Sequence, residues 1–140
     1  MYLDIAERLA QESHAVRLKV GAVFVSPEGV MSTGINGLPA GGDNVCEDKI
    51  HNAGWLYDFK LVTKDEVSHA EENLFSKLMR QGVSTKDGTI FLTHEPCINC
   101  AKIIVGSGVS RLYFRTAYVG SHKTGTAWLR QNGVKVNADI

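Results

Sequence analysis

The sequence predicts a three-layer α/β/α sandwich built on a mixed sheet of roughly five strands. Three observations predict it. Short apolar runs bounded by turn residues recur at 20–25, 30–35, 89–93, 111–114 and 134–136, the pattern of buried strands. Helical periodicity fills the intervals between the later runs, and strands alternating with helices imply parallel pairing there. The first two runs are separated by the turn signal Pro27-Glu28-Gly29, so they read as an antiparallel hairpin.

In chain order, Leu3, Ile5, Ala6, Leu9 and Ala10 recur at helical spacing with Asp4, Glu7 and Arg8 between them. They make an amphipathic helix of about three turns. The hairpin follows. Residues 36–44, Asn36-Gly37-Leu38-Pro39-Ala40-Gly41-Gly42-Asp43-Asn44, form a loop because glycine, proline and asparagine dominate them. Residues 45–66 carry the weakest pattern. Trp55, Leu56, Tyr57 and Phe59 suggest a partly packed piece there, and a short helix is the expectation. From Ser68 the spacing of Leu74, Leu78 and Met79 is helical, and Gly82 stops it. Residues 89–93 are a strand. Pro96 opens a helix through Ile103, Ile104 and Val105 to Gly106, residues 111–114 are a strand, Thr126–Gln131 a short helix, and residues 134–136 the last strand. No repeat, low-complexity segment or linker interrupts the chain, and 140 residues suit a single domain over 1–140.

Bulk properties exclude more than they assign. Fifteen Lys and Arg balance fifteen Asp and Glu, so net charge offers no attraction to nucleic acid or to a membrane surface. No apolar run approaches the ~20 residues of a membrane span. The start, Met1-Tyr2-Leu3-Asp4, carries an acid where a signal peptide carries lysine or arginine. Two of the three cysteines stand in Cys-x-x-Cys, which suits a metal in a reducing compartment better than a disulfide framework. The expectation is a cytoplasmic protein with neither a membrane nor a nucleic-acid partner.

The chemistry concentrates in Ser68-His69-Ala70-Glu71 and Pro96-Cys97-Ile98-Asn99-Cys100. Histidine nitrogen from His69 and thiolates from Cys97 and Cys100 make three zinc ligands. That leaves the fourth tetrahedral position open, as catalytic sites do and structural sites do not. Glu71, two residues from His69, reaches a water at that position without ligating the metal. His-x-Glu with Pro-Cys-x-x-Cys is the signature of zinc deaminases. Ser68 and Glu71 also fit a capping box, with Ser68 as N-cap. Pro96 fits a first helical turn, which would place Cys97 and Cys100 on one face near a helix N-terminus, where N–H groups and the helix dipole favour thiolates. If both helices follow adjacent parallel strands, their amino ends meet at one edge of the sheet. A zinc-activated water would attack an amidine-like carbon, C4 of a cytosine, while Glu71 carries protons first as base and then as acid.

Longer stretches extend the pattern: Lys19-Val20-Gly21-Ala22-Val23, Thr33-Gly34-Ile35-Asn36-Gly37-Leu38-Pro39-Ala40-Gly41, His69-Ala70-Glu71-Glu72-Asn73 and Pro96-Cys97-Ile98-Asn99-Cys100-Ala101-Lys102. In these the chain resembles the cytidine/deoxycytidylate deaminase superfamily. The Gly-x-Asn-Gly-x-Pro-x-Gly loop points within it to deoxycytidylate (dCMP) deaminases, including those of bacteriophages. The resemblance implies a cytidine deaminase-like fold and hydrolysis of dCMP to dUMP and ammonia, which supplies dUMP for dTMP synthesis. Zn²⁺ would be held by His69, Cys97 and Cys100, with Glu71 as proton shuttle. It further implies that Asn36 contacts the substrate sugar, that the Ala70 backbone contacts the base, and that Tyr118 lies near the nucleotide. Arg17 and Lys19, which precede the first core strand, are the candidates for the 5′-phosphate.

The same resemblance implies an effector site, with dCTP activating and dTTP inhibiting together with Mg²⁺ in a homo-hexamer. Gly37, Pro39, Gly41, Gly42, Asn44 and Arg80 stand at the matching positions. Some phage relatives hold a second zinc with cysteines where this chain has Ala15 and Val16. Cys46, His14, His51 and His94 remain as candidate ligands, and His94-Glu95 replaces the more usual Leu-x before Pro-Cys. The alternatives are a cytidine or deoxycytidine deaminase, a tRNA adenosine deaminase, or a non-catalytic zinc module. The absence of a basic stripe counts against RNA, and Glu71 counts against a structural site.

Overall fold

The computed structural model describes residues 1–38, 44–51, 59–117 and 123–138. Its elements are α1 (Tyr2–Ala10), β1 (Gly21–Val25), β2 (Met31–Ile35), β3 (Glu47–His51), β4 (Phe59–Thr63), α2 (Ala70–Gln81), β5 (Thr89–His94), α3 (Ile98–Ser107), β6 (Arg111–Thr116), α4 (Thr126–Gln131) and β7 (Lys135–Ala138). Five strands form one mixed sheet in the order β2-β1-β5-β6-β7. β1 is antiparallel to both neighbours, and β5, β6 and β7 run parallel. The predicted hairpin and the predicted parallel half both stand.

Strand alternation divides the sheet into two faces. Ala22 and Phe24 of β1, Ile90 and Leu92 of β5, Leu112 and Phe114 of β6 and Val136 of β7 enter one buried cluster with Leu74 and Leu78 of α2, Ile104 of α3 and Leu129 of α4. The residues between them face the other way. Phe91 and Tyr113 stack there with ring centroids 5.2 Å apart, and Tyr2 of α1 meets Phe91 at 4.9 Å. The layers are therefore α1, sheet, and α2 with α3 and α4. No helix among the described residues is long and apolar enough to cross a membrane.

Among the described residues within 45–66, where a short helix was the expectation, the chain forms strands and no helix. β3 and β4 make a separate two-stranded antiparallel sheet, with Glu47 opposite Thr63 and His51 opposite Phe59. Glu47-Asp48-Lys49 carries no apolar alternation that marks a strand locally, so its extended state depends on a partner across the hairpin. Trp55, Leu56 and Tyr57, which prompted the helical expectation, lie outside the described residues.

Gly34 sets how closely α2 approaches the sheet. A Cβ there would stand 2.4 Å from Ala70 O and 2.7 Å from Leu74 N, both backbone atoms of α2. Asn73 Nδ2 adds a hydrogen bond of 2.7 Å to Ile35 O on the same strand. Gly34→Ala is expected to push α2 outward, costing ~1–3 kcal/mol as other overpacked sites do and displacing whatever the helix start carries. Thermal unfolding together with activity checks this, and wild-type values of both would contradict the close approach.

Candidate active site

Because β1 is antiparallel to β2 and to β5, those two strands run in one direction on either side of it. α2 follows β2 after the β3–β4 hairpin, and α3 follows β5 directly. Both helices thus begin at the same edge of the sheet. The strands they follow are parallel as expected, but they are not the adjacent pair of the expectation, since β1 lies between them.

The helix starts lie later than expected, by one residue in α2 and by two in α3. Gly37 and Ser68 exchange backbone hydrogen bonds of 3.1 and 3.0 Å, which keeps Ser68 extended. His69, not Ser68, is the N-cap of α2, and Glu72, not Glu71, returns its carboxylate to the N-cap N–H at 2.8 Å. Glu71 is thereby released from capping and is buried, 5% exposed. In α3 the N-cap is Cys97 itself, and its Sγ accepts from Cys100 N at 3.5 Å. Pro96 stands before the cap rather than in the first turn, and its carbonyl accepts from Gly125 N at 2.9 Å.

These starts bring three metal-ligating side chains together. His69 Nδ1 lies 3.3 Å from Cys100 Sγ and 3.7 Å from Cys97 Sγ, and all three ligand atoms fall within 4.8 Å of one another. Zinc–sulfur bonds of ~2.3 Å and zinc–nitrogen bonds of ~2.0–2.1 Å at tetrahedral angles separate N from S by about 3.6 Å. The two observed separations bracket that value, so the donor set fits zinc in both chemistry and spacing.

The electrostatics agree. Hydrogen bonds from Cys100 and then from His69 hold the Cys97 thiol down at about 3. The hydrogen bond to Cys97 raises His69 to about 9 against the opposing effect of burial. Cys100 is pushed up, first by its hydrogen bond to Cys97 and then by burial. Three groups share protons in one small volume, the arrangement in which cation binding is coupled to proton release. Burial is the main influence raising the Glu71 carboxyl, opposed by its own backbone N–H and by the His69 charge, and it also hydrogen-bonds Cys100. A carboxyl whose neutral form is favoured by burial in this way is a better proton acceptor than an exposed one, as general acid/base work requires.

A cavity of about 440 Å³ opens on this cluster. His69, Ala70, Glu71 and Cys97 form its floor, Val20 and Val67 contribute apolar wall, and Asn36 and Arg17 also line it. Cys100, the third member of the cluster, is buried and does not line the cavity. The Asn36 amide bridges the strand entry, accepting from Val20 N at 2.9 Å and donating to Leu18 O at 2.7 Å. Arg17 Nη1 donates to Thr63 Oγ1 at 3.2 Å. Lys19 is not in the lining; its ammonium donates to Ser13 O. Tyr118 lies outside the described residues, though Thr116 and Ala117 just before it line the cavity.

Among the described residues, the effector candidates Gly37, Asn44 and Arg80 are not gathered at one place. Pro39, Gly41 and Gly42 lie outside the described residues, and Asn44 is exposed. Gly37 pairs with Ser68 beside the start of α2, whereas Arg80 is in its last turn, on the order of 15 Å along the axis. Among the described residues no second group of ligand atoms converges as His69, Cys97 and Cys100 do. Cys46 is buried against Ala15 and Val67, His14 is exposed, and the His51 side chain lies outside the described residues. His94 lines the cavity with Nδ1 2.8 Å from Thr93 Oγ1.

Glu47, Thr63 and Thr126, at or beside the cavity, were not singled out as site residues by the sequence, and Glu95 only as a departure from the usual residues before Pro-Cys. Glu47 accepts from Val16 N and Arg17 N at 2.8 and 2.9 Å. Thr63 meets the Arg17 guanidinium. Glu95 Oε2 accepts from Thr126 Oγ1 at 2.5 Å, tying the cavity wall to the start of α4. Only Glu95, beside Pro96-Cys97, stood near a legible motif.

The profile of the cytidine and deoxycytidylate deaminase zinc-binding region matches residues 1–116. The chain belongs to this family. Within the deaminase family it is 32% identical to the deoxycytidylate deaminase of Enterobacteria phage T4, over 96% of this chain and 86% of that protein. It is 35% identical to the deoxycytidylate deaminase of Mycobacterium phage D29, over 81% of this chain and 90% of that one. A crystal structure of the dCMP deaminase of cyanophage S-TIM5 in complex with dCMP and dUMP superposes with a TM-score of 0.81, at 34% identity over 98% of this chain and 93% of that chain.

Proposed function

We propose that residues 1–140 act as one catalytic domain that hydrolyses dCMP to dUMP and ammonia in the cytoplasm. The observation that carries this reading is the buried Glu71 carboxyl set beside the three converging ligand atoms on the floor of a cavity whose lining includes Arg17. Similarity to a cyanophage enzyme crystallised with dCMP and dUMP supports the substrate. His69, Cys97 and Cys100 would hold zinc, which would supply a Lewis acid able to make water a competent nucleophile near neutral pH. Glu71 accepts the proton of the attacking water and delivers protons to the ring nitrogen and to the departing amine. Water and an aminopyrimidine are consumed, and a carbonyl and ammonia remain. The Ala70 backbone orients the base, Asn36 the sugar, and Tyr118 flanks the nucleotide.

Arg17 receives the 5′-phosphate, with Lys19 in a supporting role at most, since its ammonium is engaged by Ser13 O. Arg17→Ala is expected to raise KM for dCMP by about tenfold or more relative to KM for deoxycytidine, because a charge-assisted hydrogen bond is worth roughly 1.5–3 kcal/mol. Equal effects on the two substrates would remove Arg17 from the phosphate site.

Regulation belongs to the same reading: dTTP with Mg²⁺ inhibits, dCTP relieves the inhibition, and the enzyme works as a homo-hexamer. The reciprocal pairing of Gly37 with Ser68, the residue before His69, offers a short route by which ordering of the 37–44 loop reaches the metal ligands. Arg80, at the far end of α2, would join the Gly37, Pro39, Gly41, Gly42 and Asn44 loop across a contact between subunits. Arg80→Glu is expected to weaken both effector responses, which carry a coupling of about 1–3 kcal/mol, without changing unregulated turnover. Steady-state curves in dCMP with and without each triphosphate decide, and superimposed wild-type curves would overturn the regulatory assignment.

A further inference from the structure

We infer that the β3–β4 hairpin holds Arg17 in place for an anionic group of the substrate, with Glu47 as the positioning residue. The inference rests on the reading of Arg17 given above. Arg17 sits in a loop segment between α1 and β1 and is exposed, a setting in which a long side chain samples many rotamers. Here it is fixed at two levels. One oxygen of Glu47 accepts from the backbone N–H groups of Val16 and Arg17 at 2.8 and 2.9 Å, and Glu47 is buried at 9% exposure. Thr63, directly opposite Glu47 in the β3–β4 register, accepts from Arg17 Nη1 at 3.2 Å. One rung of the hairpin therefore grips both the main chain and the guanidinium of the same residue.

The division of labour keeps the positive charge available. Glu47 spends its carboxylate on backbone donors, and among the described residues Arg17 makes no ion pair. A hydroxyl, not a carboxylate, steadies the guanidinium, which has five N–H donors and commits one of them to Thr63. Glu47 does not line the cavity, whereas Arg17 and Thr63 do. A fixed fork loses less freedom when it meets phosphate oxygens than a mobile one does.

Dissociation constants of dUMP and deoxyuridine, measured by titration calorimetry, read the phosphate contribution without depending on turnover. Glu47→Ala is expected to weaken dUMP by about tenfold relative to deoxyuridine, while kcat at saturating dCMP stays within a few-fold. Glu47→Gln keeps a side-chain acceptor for the two N–H groups and is expected to recover most of the loss. In an Arg17→Ala background, Glu47→Ala should change the ratio no further. Should Glu47→Ala not fold, Thr63→Val removes the hydroxyl at nearly constant shape and is expected to lower the ratio several-fold. A wild-type protein that binds dUMP and deoxyuridine alike, or an Arg17→Ala variant that keeps the wild-type ratio, removes the underlying reading of Arg17. A ratio lowered by Arg17→Ala but unchanged by Glu47→Ala, or by Thr63→Val where that variant carries the test, overturns the positioning role alone.

Discussion

Glu71→Gln is expected to retain zinc, fold and substrate affinity and to lose turnover by ~10³–10⁴-fold. General acid/base help commonly spans ~10²–10⁴-fold, and a group that serves as both base and acid in one cycle belongs at the upper end. Glutamine matches the carboxyl in shape and can still hydrogen-bond, but it cannot take a proton. The substitution should not destabilise the chain, because the carboxyl it replaces is 5% exposed and already raised by burial. Nor is Glu71 a helix cap, a duty that falls to Glu72. Single-turnover rates, measured with zinc content and circular dichroism on the same preparation, separate these effects. Turnover within tenfold of wild type would remove Glu71 from proton transfer.

Cys97→Ala and Cys100→Ala are expected to abolish zinc binding and activity together and to lower Tm by on the order of 10 °C. The metal would tie the start of α2 to the start of α3, so its binding energy is also folding energy. A loss of ~3 kcal/mol moves the Tm of a chain of this size by about that much. Cys97→Ala also removes the N-cap of α3, whose sulfur accepts the Cys100 N–H. Cys100→Ala instead truncates a side chain that is 1% exposed. Chelation of the wild type distinguishes metal loss from either local defect: activity and Tm should fall and then return on adding zinc. Full zinc occupancy in either variant would show the ligand set to be wrong.

The contrast between what the sequence displayed and what it hid follows from the range of the interactions. His69, Glu71, Cys97 and Cys100 were legible because metal chemistry requires those residue types at those spacings, whatever surrounds them. The helix starts were legible only to within two residues. Whether Ser68 or His69 caps α2 is settled by Gly37, more than thirty positions away, which draws Ser68 into an extended pair. The five-stranded sheet was legible because its strands are apolar where they face the core. β3 was not, since Glu47-Asp48-Lys49 has no such alternation and is held by β4. Glu47 and Thr63 were hidden for the same reason, as their contacts with Arg17 join positions far apart in the chain. Lys19 read as the equal of Arg17 in sequence, and only the fold sends its ammonium to Ser13 O and leaves Arg17 at the cavity.

The most direct test of the central reading is ammonia release by the purified protein, with zinc content measured on the same sample, from dCMP and from deoxycytidine in parallel. The expected result is equimolar dUMP and ammonia from dCMP at about one zinc per chain, with a clear preference for the monophosphate. No ammonia from dCMP at full zinc occupancy, or a preference for deoxycytidine, would contradict it.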